Sequence, residues 1–146
     1  MNIQEATKRI TLEYLKTGCE GYQTLLKYIN GDMEGSLYLY DTKVSYLPDG
    51  LKVGGHLNIS NTPITALPER LQVTGDLYLN NTPITTLPNE IEVGGILNLN
   101  HTNITTLQKE LKLNKQLLLR GTPISKCYTQ GQLKQMLPHV KGKIYC

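Results

Sequence analysis

Residues 35 to 114, broken every 20 residues, read GSLYLYDTKVSYLPDGLKVG, GHLNISNTPITALPERLQVT, GDLYLNNTPITTLPNEIEVG and GILNLNHTNITTLQKELKLN, with no gap needed to hold the register. Leu37, Leu57, Leu77, Leu97 and Leu117 recur at that interval, as do Leu39, Ile59, Leu79, Leu99 and Leu119. Thr42, Thr62, Thr82, Thr102 and Thr122 come next, followed two residues on by Val44, Ile64, Ile84, Ile104 and Ile124. Leu-Pro begins at 47, 67 and 87, an apolar residue stands at 51, 71, 91 and 111, and Val53, Val73, Val93 or Leu113 comes near the end of each unit. A fixed period of this kind is the signature of a stacked repeat.

One such unit buries too little apolar surface to offset the entropy of ordering it, so the units must stack. Spaced by about 4.8 Å, the Leu-x-Leu segments pair as a parallel sheet with their first and third residues inward. The Gly-Gly at 54–55 and 94–95, with Thr74-Gly75 as a variant, permits a sharp corner. Leu-Pro fixes an extended bend on the far side, because proline locks its own torsion and biases its predecessor away from helix. The threonine hydroxyls are expected just inside each coil, bonding the backbone of their own and the next coil, a structural role and not a catalytic one.

The L-x-L-x-x-T-x-I-x-x-L-P-x-x-L run resembles a leucine-rich repeat of the short, 20-residue bacterial or phage-like kind, directly over residues 35–124. The resemblance implies an α/β solenoid: about six short parallel strands on the concave face of stacked 20-residue coils, used mainly for protein recognition. Two departures stand out. The ladder position that is usually Asn or Cys is Thr, and five residues separate Leu71 from Leu77 where the family pattern has two between the corresponding leucines. The added L-x-V segment suits a second short strand, so a plain parallel β-solenoid is the alternative architecture. Secreted bacterial effectors of this family join such repeats to a ubiquitin-ligase domain; these 146 residues leave no room for one, and that activity is not carried over.

Both ends are expected to be helical caps on one structural domain, divided as 1–34, 35–124 and 125–146. Ile3, Ala6, Ile10 and Tyr14 recur at helical spacing over 3–17, with Gly18 closing the helix and a second helix running through Leu25, Leu26 and Ile29. Thr129-Gln130-Gly131-Gln132 has the form of a capping box, ahead of an apolar face of Leu133, Met136 and Leu137 that stops near Pro138. Val140–Cys146 aligns with Val93–Leu99 and predicts a sixth strand, whose outer edge is expected to lie open to pairing with another copy or a partner.

The net charge of +3 conceals a gradient: residues 1–100 hold seven Lys/Arg and eleven Asp/Glu, whereas residues 101–146 hold eight Lys/Arg and only Glu110. Lys109, Lys112, Lys115, Arg120, Lys126, Lys134, Lys141 and Lys143 gather at that end, yet the chain has no Phe or Trp and the strand face is not basic, so nucleic acid is an unfavoured partner. Cys19, Cys127 and Cys146 fit no zinc or CxxC spacing and read as small buried or terminal hydrophobes. No apolar run is long enough to span a membrane and the start lacks the order of a secretion signal, so the expectation is a cytoplasmic protein of the producing or host cell.

Side chains on the outer face of the strands fall into three ranks. The central one is Tyr38, Asn58, Tyr78, Asn98, Leu118 and Tyr145; beside it run Tyr40, Ser60, Asn80, Asn100 and Arg120, and on the other side Ser36, His56, Asp76, Ile96, Gln116 and Lys143. Tyrosines and arginine are favoured anchors at interfaces, which nominates Tyr38, Tyr40, His56, Asn58, Asp76, Tyr78, Asn80, Asn98, Asn100, Leu118 and Arg120 as partner-binding residues. The bland alternative is a solvated sheet face, where β-propensity alone favours Tyr. His56 and Asp76 resemble a base and its orienter, but with no nucleophile, third ligand or oxyanion donor they read as a surface ion pair. The expectation is a non-enzymatic module that needs no cofactor or metal and binds another protein as an inhibitor or adaptor. Self-assembly end to end is the alternative, and a phage protein acting against host defence is suggested by repeat style alone.

Overall fold

In the computed structural model, which describes residues 3–146, each Leu-x-Leu segment opens as a two-residue strand and the strands stack in register. Strands β1 (Leu37–Tyr38), β3 (Leu57–Asn58), β5 (Leu77–Tyr78), β7 (Leu97–Asn98), β8 (Leu117–Leu118) and β9 (Ile144–Tyr145) form one six-stranded parallel sheet in that order. Its register is the sequence period itself: Leu37 pairs with Leu57, Leu57 with Leu77, Leu77 with Leu97, Leu97 with Leu117, and Leu117 with Ile144. The L-x-V segments form a second parallel sheet, β2 (Lys52–Val53), β4 (Gln72–Val73) and β6 (Glu92–Val93). Bridges from Val93 to Leu113 and from Leu113 to Val140 carry it toward the C-terminal end.

The coils of residues 35–114 contain no helix; helix occurs only in the flanking segments. The architecture is therefore a parallel β-solenoid, the second of the two expected, and the extra residues between Leu71 and Leu77 are the reason. They are long enough to extend and pair with the neighbouring coil. Between the two sheets lies a continuous aliphatic core, in which Leu57, Ile59, Ile64, Leu71, Leu77, Leu79, Ile84, Leu97 and Leu99 are wholly inaccessible to solvent.

Each threonine hydroxyl donates to the carbonyl three residues before it, on its own coil: Thr42 to Leu39 at 2.6 Å, Thr62 to Ile59, Thr82 to Leu79 and Thr102 to Leu99 at 2.7 Å, and Thr122 to Leu119 at 2.6 Å. The bond expected to the next coil is not made, because the next coil's backbone is already paired in the ladder. Thr82→Val keeps the shape and leaves the Leu79 carbonyl short of that donor inside the core. A loss of roughly 1–3 kcal/mol in chemical denaturation is expected, and an unchanged midpoint would refute this role.

Directly before each threonine the chain turns through the left-handed region, at Asp41 (φ 58), Asn61 (φ 55), Asn81 (φ 59), His101 (φ 56) and Gly121 (φ 71). Asp, Asn, His and Gly are the residue types that tolerate this torsion, so the rank specifies the turn. Its side chains stack as well: the Asn61 amide donates to Asp41 at 2.7 Å and the Asn81 amide to Asn61 at 2.8 Å.

At the N-terminal end α1 (Ile3–Thr17) and α2 (Glu20–Asn30) pack on each other and cover the first coil with Ala6, Ile10, Tyr22, Leu25 and Ile29. Ile3, expected on the buried stripe, is half exposed instead. The Tyr28 hydroxyl lies within hydrogen-bond distance of the Met33 and Gly35 carbonyls and the Gly54 N–H, tying the cap to the corner of the stack. The Arg9 guanidinium lies 4.1 Å from the centre of the Tyr46 ring, which itself packs on Tyr22. Burial pushes the Tyr46 phenol up to about 12, with Arg9 pulling the other way.

At the other end α3 (Pro123–Cys127) and α4 (Gln130–Met136) replace the Leu-Pro arc. The capping box forms as the sequence indicates, Thr129 accepting from the Gln132 N–H and Gln132 accepting from the Thr129 N–H. Leu133 and Leu137 are buried, but Met136 is exposed, because α4 is only two turns long and presents a narrow face. Cys127 and Cys146 are likewise exposed, contrary to a buried reading for Cys127, while Cys19 packs against the core.

The last strand does not leave its edge carbonyls free. Gln130 donates its side-chain amide to the Ile144 carbonyl, and the Lys134 ammonium donates to the Val140 carbonyl and, at 2.8 Å, to the Gly142 carbonyl. Side chains of α4 therefore occupy carbonyls along this edge. The edge expected to lie open is thus covered on its carbonyl side by α4.

Candidate functional site

The outer face of the six-stranded sheet carries the three ranks in register. Tyr38, Asn58, Tyr78, Asn98, Leu118 and Tyr145 are successive strand partners. The ladder continues past the strands through Asp41 N–H to the Ser60 carbonyl, Asn61 to Asn80, Asn81 to Asn100 and His101 to Arg120, which aligns Tyr40, Asn80, Asn100 and Arg120 beside them. On the other flank, bonds from Leu37 to the His56 carbonyl, Leu57 to Asp76, Leu77 to Ile96 and Leu97 to Gln116 align the third rank. All eleven nominated residues therefore lie on one wall.

Their exposure is uneven. Tyr38 and Tyr40 are 54% and 51% accessible, and Tyr145 is 43%. Tyr78, Ile96 and Leu118, expected to leave apolar area in water, are half-buried, each with a coil on either side of it. Asn58, Asp76, Asn80, Asn98 and Asn100 are half-buried, Arg120 and His56 are exposed, and Ser60 is buried between amides.

Most of the polar contacts on this wall turn side-chain acceptors toward backbone donors. The Ser36 hydroxyl accepts from the His56 N–H at 2.9 Å, His56 Nδ1 from the Asp76 N–H at 2.9 Å, and Asp76 Oδ1 from the Ile96 N–H at 2.7 Å. In the neighbouring ranks Asn58 Oδ1 accepts from the Ser60 N–H and Asn98 Oδ1 from the Asn100 N–H, both at 3.0 Å, and Asn100 Oδ1 from the Arg120 N–H at 2.8 Å. Tyr78 donates its hydroxyl to Asp76 Oδ2 at 3.2 Å, and its phenol is held above the ordinary value by desolvation first and by the Asp76 charge second.

These bonds redefine the His56–Asp76 pair. His56 Nδ1 lies 3.4 Å from Asp76 Oδ2, but the same nitrogen accepts the Asp76 N–H, so in the neutral ring the proton sits on Nε2, away from the carboxylate. The arrangement pins a coil corner and is not a base held by an orienting acid. His101 stands at a left-handed turn and His139 in the C-terminal segment, where its carbonyl accepts from Leu113. Among the described residues no group of three His, Cys, Asp or Glu is placed to hold a metal ion.

A second surface was not anticipated from the sequence. An open concavity of about 730 Å³ lies over β4 and β6, lined by Arg70, Gln72, Glu90, Glu92, Gln108 and Lys112 among others. The signal was present in the 20-residue rank Lys52, Gln72, Glu92, Lys112, the outward positions of the L-x-V strands. Its charges are mixed in sign, Arg70 and Lys112 among Glu90, Glu92 and Glu110, and build no focused site. Here Gln108 takes the position of Pro48, Pro68 and Pro88 and donates its amide to the Leu87 carbonyl of the preceding coil.

No described helix is long and apolar enough to cross a membrane. No family model, no curated protein and no solved structure matches the chain.

Proposed function

We propose that the chain is a protein-binding module related to the leucine-rich repeats, acting as an inhibitor or adaptor without chemistry of its own, and that it engages its partner through the outer wall of the six-stranded sheet. One observation carries this reading. Tyr38 and Tyr40 hold more than half of their surface in water on a regular sheet whose folding is secured by the opposite, inward side chains. Large amphipathic rings left exposed together, continued along the wall by amides and ending at an arginine, have the composition of an interface. The leucine-rich-repeat relation is supported by the shared L-x-L-x-x-T-x-I run and the Leu-Pro bend.

Capture from a lysate of the native cell, identified by mass spectrometry and followed by an affinity measurement, tests the reading. The double change Tyr38→Ala with Tyr40→Ala is expected to weaken affinity by about 2 kcal/mol or more, the scale of anchor residues. Both side chains are exposed, so stability should move by no more than about 0.5 kcal/mol for each change. Unchanged affinity would place the interface elsewhere, the surface over β4 and β6 being next in line.

A further inference from the structure

Three of the carboxamides on the wall are oriented by backbone donors, which removes any ambiguity between their oxygen and nitrogen. Asn58, Asn98 and Asn100 each accept a main-chain N–H through Oδ1. A carboxamide is planar, so fixing its oxygen against the coil directs its NH2 group the other way; none of these three NH2 groups has a hydrogen-bond partner among the described residues. His56 behaves alike: with Nδ1 accepting from Asp76, the neutral ring offers Nε2–H. Asp76, the one carboxylate in the three ranks, has Oδ1 bonded to the Ile96 N–H and Oδ2 to the Tyr78 hydroxyl. The Arg120 guanidinium and the Lys143 ammonium add exposed cations at the C-terminal end of the same wall.

From this we infer that the Asn98, Asn100 and Arg120 end of the wall is biased toward hydrogen-bond donors, and that it docks an acidic segment of a protein partner, with Asp or Glu carboxylates set over those three residues. The inference rests on the reading of this wall as the interface and adds the chemistry of what it grips. A carboxylate there accepts from carboxamide and guanidinium donors, and such charge-assisted bonds are the stronger kind. A nucleic-acid strand fits less well. Only two of the outward positions are cationic, Arg120 and Lys143, whereas tracking a phosphate backbone requires a basic groove.

The experiment is a titration of the isotopically labelled chain, followed by NMR of its side-chain amide and guanidinium signals. Three probes are used in parallel: an end-blocked hexaglutamate peptide, the matching hexaglutamine peptide and a short oligothymidylate. Hexaglutamate is expected to shift the Asn98, Asn100 and Arg120 signals, more strongly than either other probe and less so as salt is raised. The double change Asn98→Asp with Asn100→Asp preserves the inward acceptors and replaces the outward donors with charged acceptors. It should weaken hexaglutamate binding by about tenfold or more for each bond lost, with the melting temperature nearly unchanged.

An absence of shifts at Asn98, Asn100 and Arg120, equal binding by the double variant, or a stronger response to the oligonucleotide would each overturn the inference. Should the variant fold poorly, the unmodified chain's response to the three probes decides by itself. A negative result here, alongside a positive tyrosine experiment, would leave the wall as the interface and discard only the acidic partner.

Discussion

Leu77→Ala is expected to destabilise the protein by roughly 2–5 kcal/mol, measured by chemical denaturation. Leu77 is fully buried, lies between Leu57 and Leu97 in the ladder, and belongs to the central coil of the regular stack. Its backbone donates to the Ile96 carbonyl at 2.8 Å, and Leu57 donates to the Asp76 carbonyl at 2.9 Å, so the coils on either side cannot close in on the lost volume. The cavity persists and its cost adds to the lost burial. In a stack where each coil contacts only its neighbours, weakening the middle one also uncouples the two ends. A change below about 1 kcal/mol would mean that the interior can collapse around the gap, against the rigidity described here.

Gly94→Ala should be comparably damaging for the opposite reason. A Cβ at this position would stand 2.1 Å from the Thr74 carbonyl oxygen of the preceding coil and 3.0 Å from its carbonyl carbon. Both are backbone atoms, held by the ladder bond from the Gly94 N–H to the Val73 carbonyl at 2.9 Å, so relief requires the coils to part. Overpacking of this severity is expected to cost about 3 kcal/mol or more. Gly131→Ala provides the contrast. It lies in α4 with nothing within 4 Å of an added Cβ, and the same substitution there should stabilise by roughly 0.5–1 kcal/mol. If the two variants melt alike, steric crowding at the coil corner is not what demands glycine.

The stack was legible because its cause is local and repeated. Leu-x-Leu at a constant interval states both the strand and its partner, which is why the six-stranded register, the sixth strand at Ile144–Tyr145 and the capping box at Thr129 were readable from the letters. The second sheet was harder to see, since two-residue strands such as Gln72–Val73 carry no alternation of their own and exist only through their neighbours. The turn rank Asp41, Asn61, Asn81, His101, Gly121 stands in the sequence as a polar column, but it carries no apolar period to announce its left-handed torsion. The occupied C-terminal edge was beyond reach. Nothing in the spacing of Gln130 and Lys134 reveals that they reach carbonyls 14 and 8 residues further along the chain.

The placement of nominated residues on one wall followed directly from the period, but their roles did not. Asn58, Asn98 and Asn100 look interchangeable as letters; only coordinates show that each spends its oxygen on a backbone N–H. The same holds for His56, whose apparent partnership with Asp76 is through a main-chain donor. Exposure, too, depends on place in the stack: Tyr38 stands on the first strand with a partner on one side only and protrudes, whereas Tyr78 has partners on both sides and is partly covered.

The α1–α2 unit meets the first coil and the α4 segment meets the last, so neither end senses how many turns lie between them. A tandem duplication of residues 75–94 would slide in with one new junction, Gly94 to Gly75, which is the same Gly-Gly pair that already joins coils at 54–55 and 94–95. Molecular length would then grow by about 4.8 Å per event. Reach along a target is thus adjustable in discrete increments, by copying a segment and without inventing one.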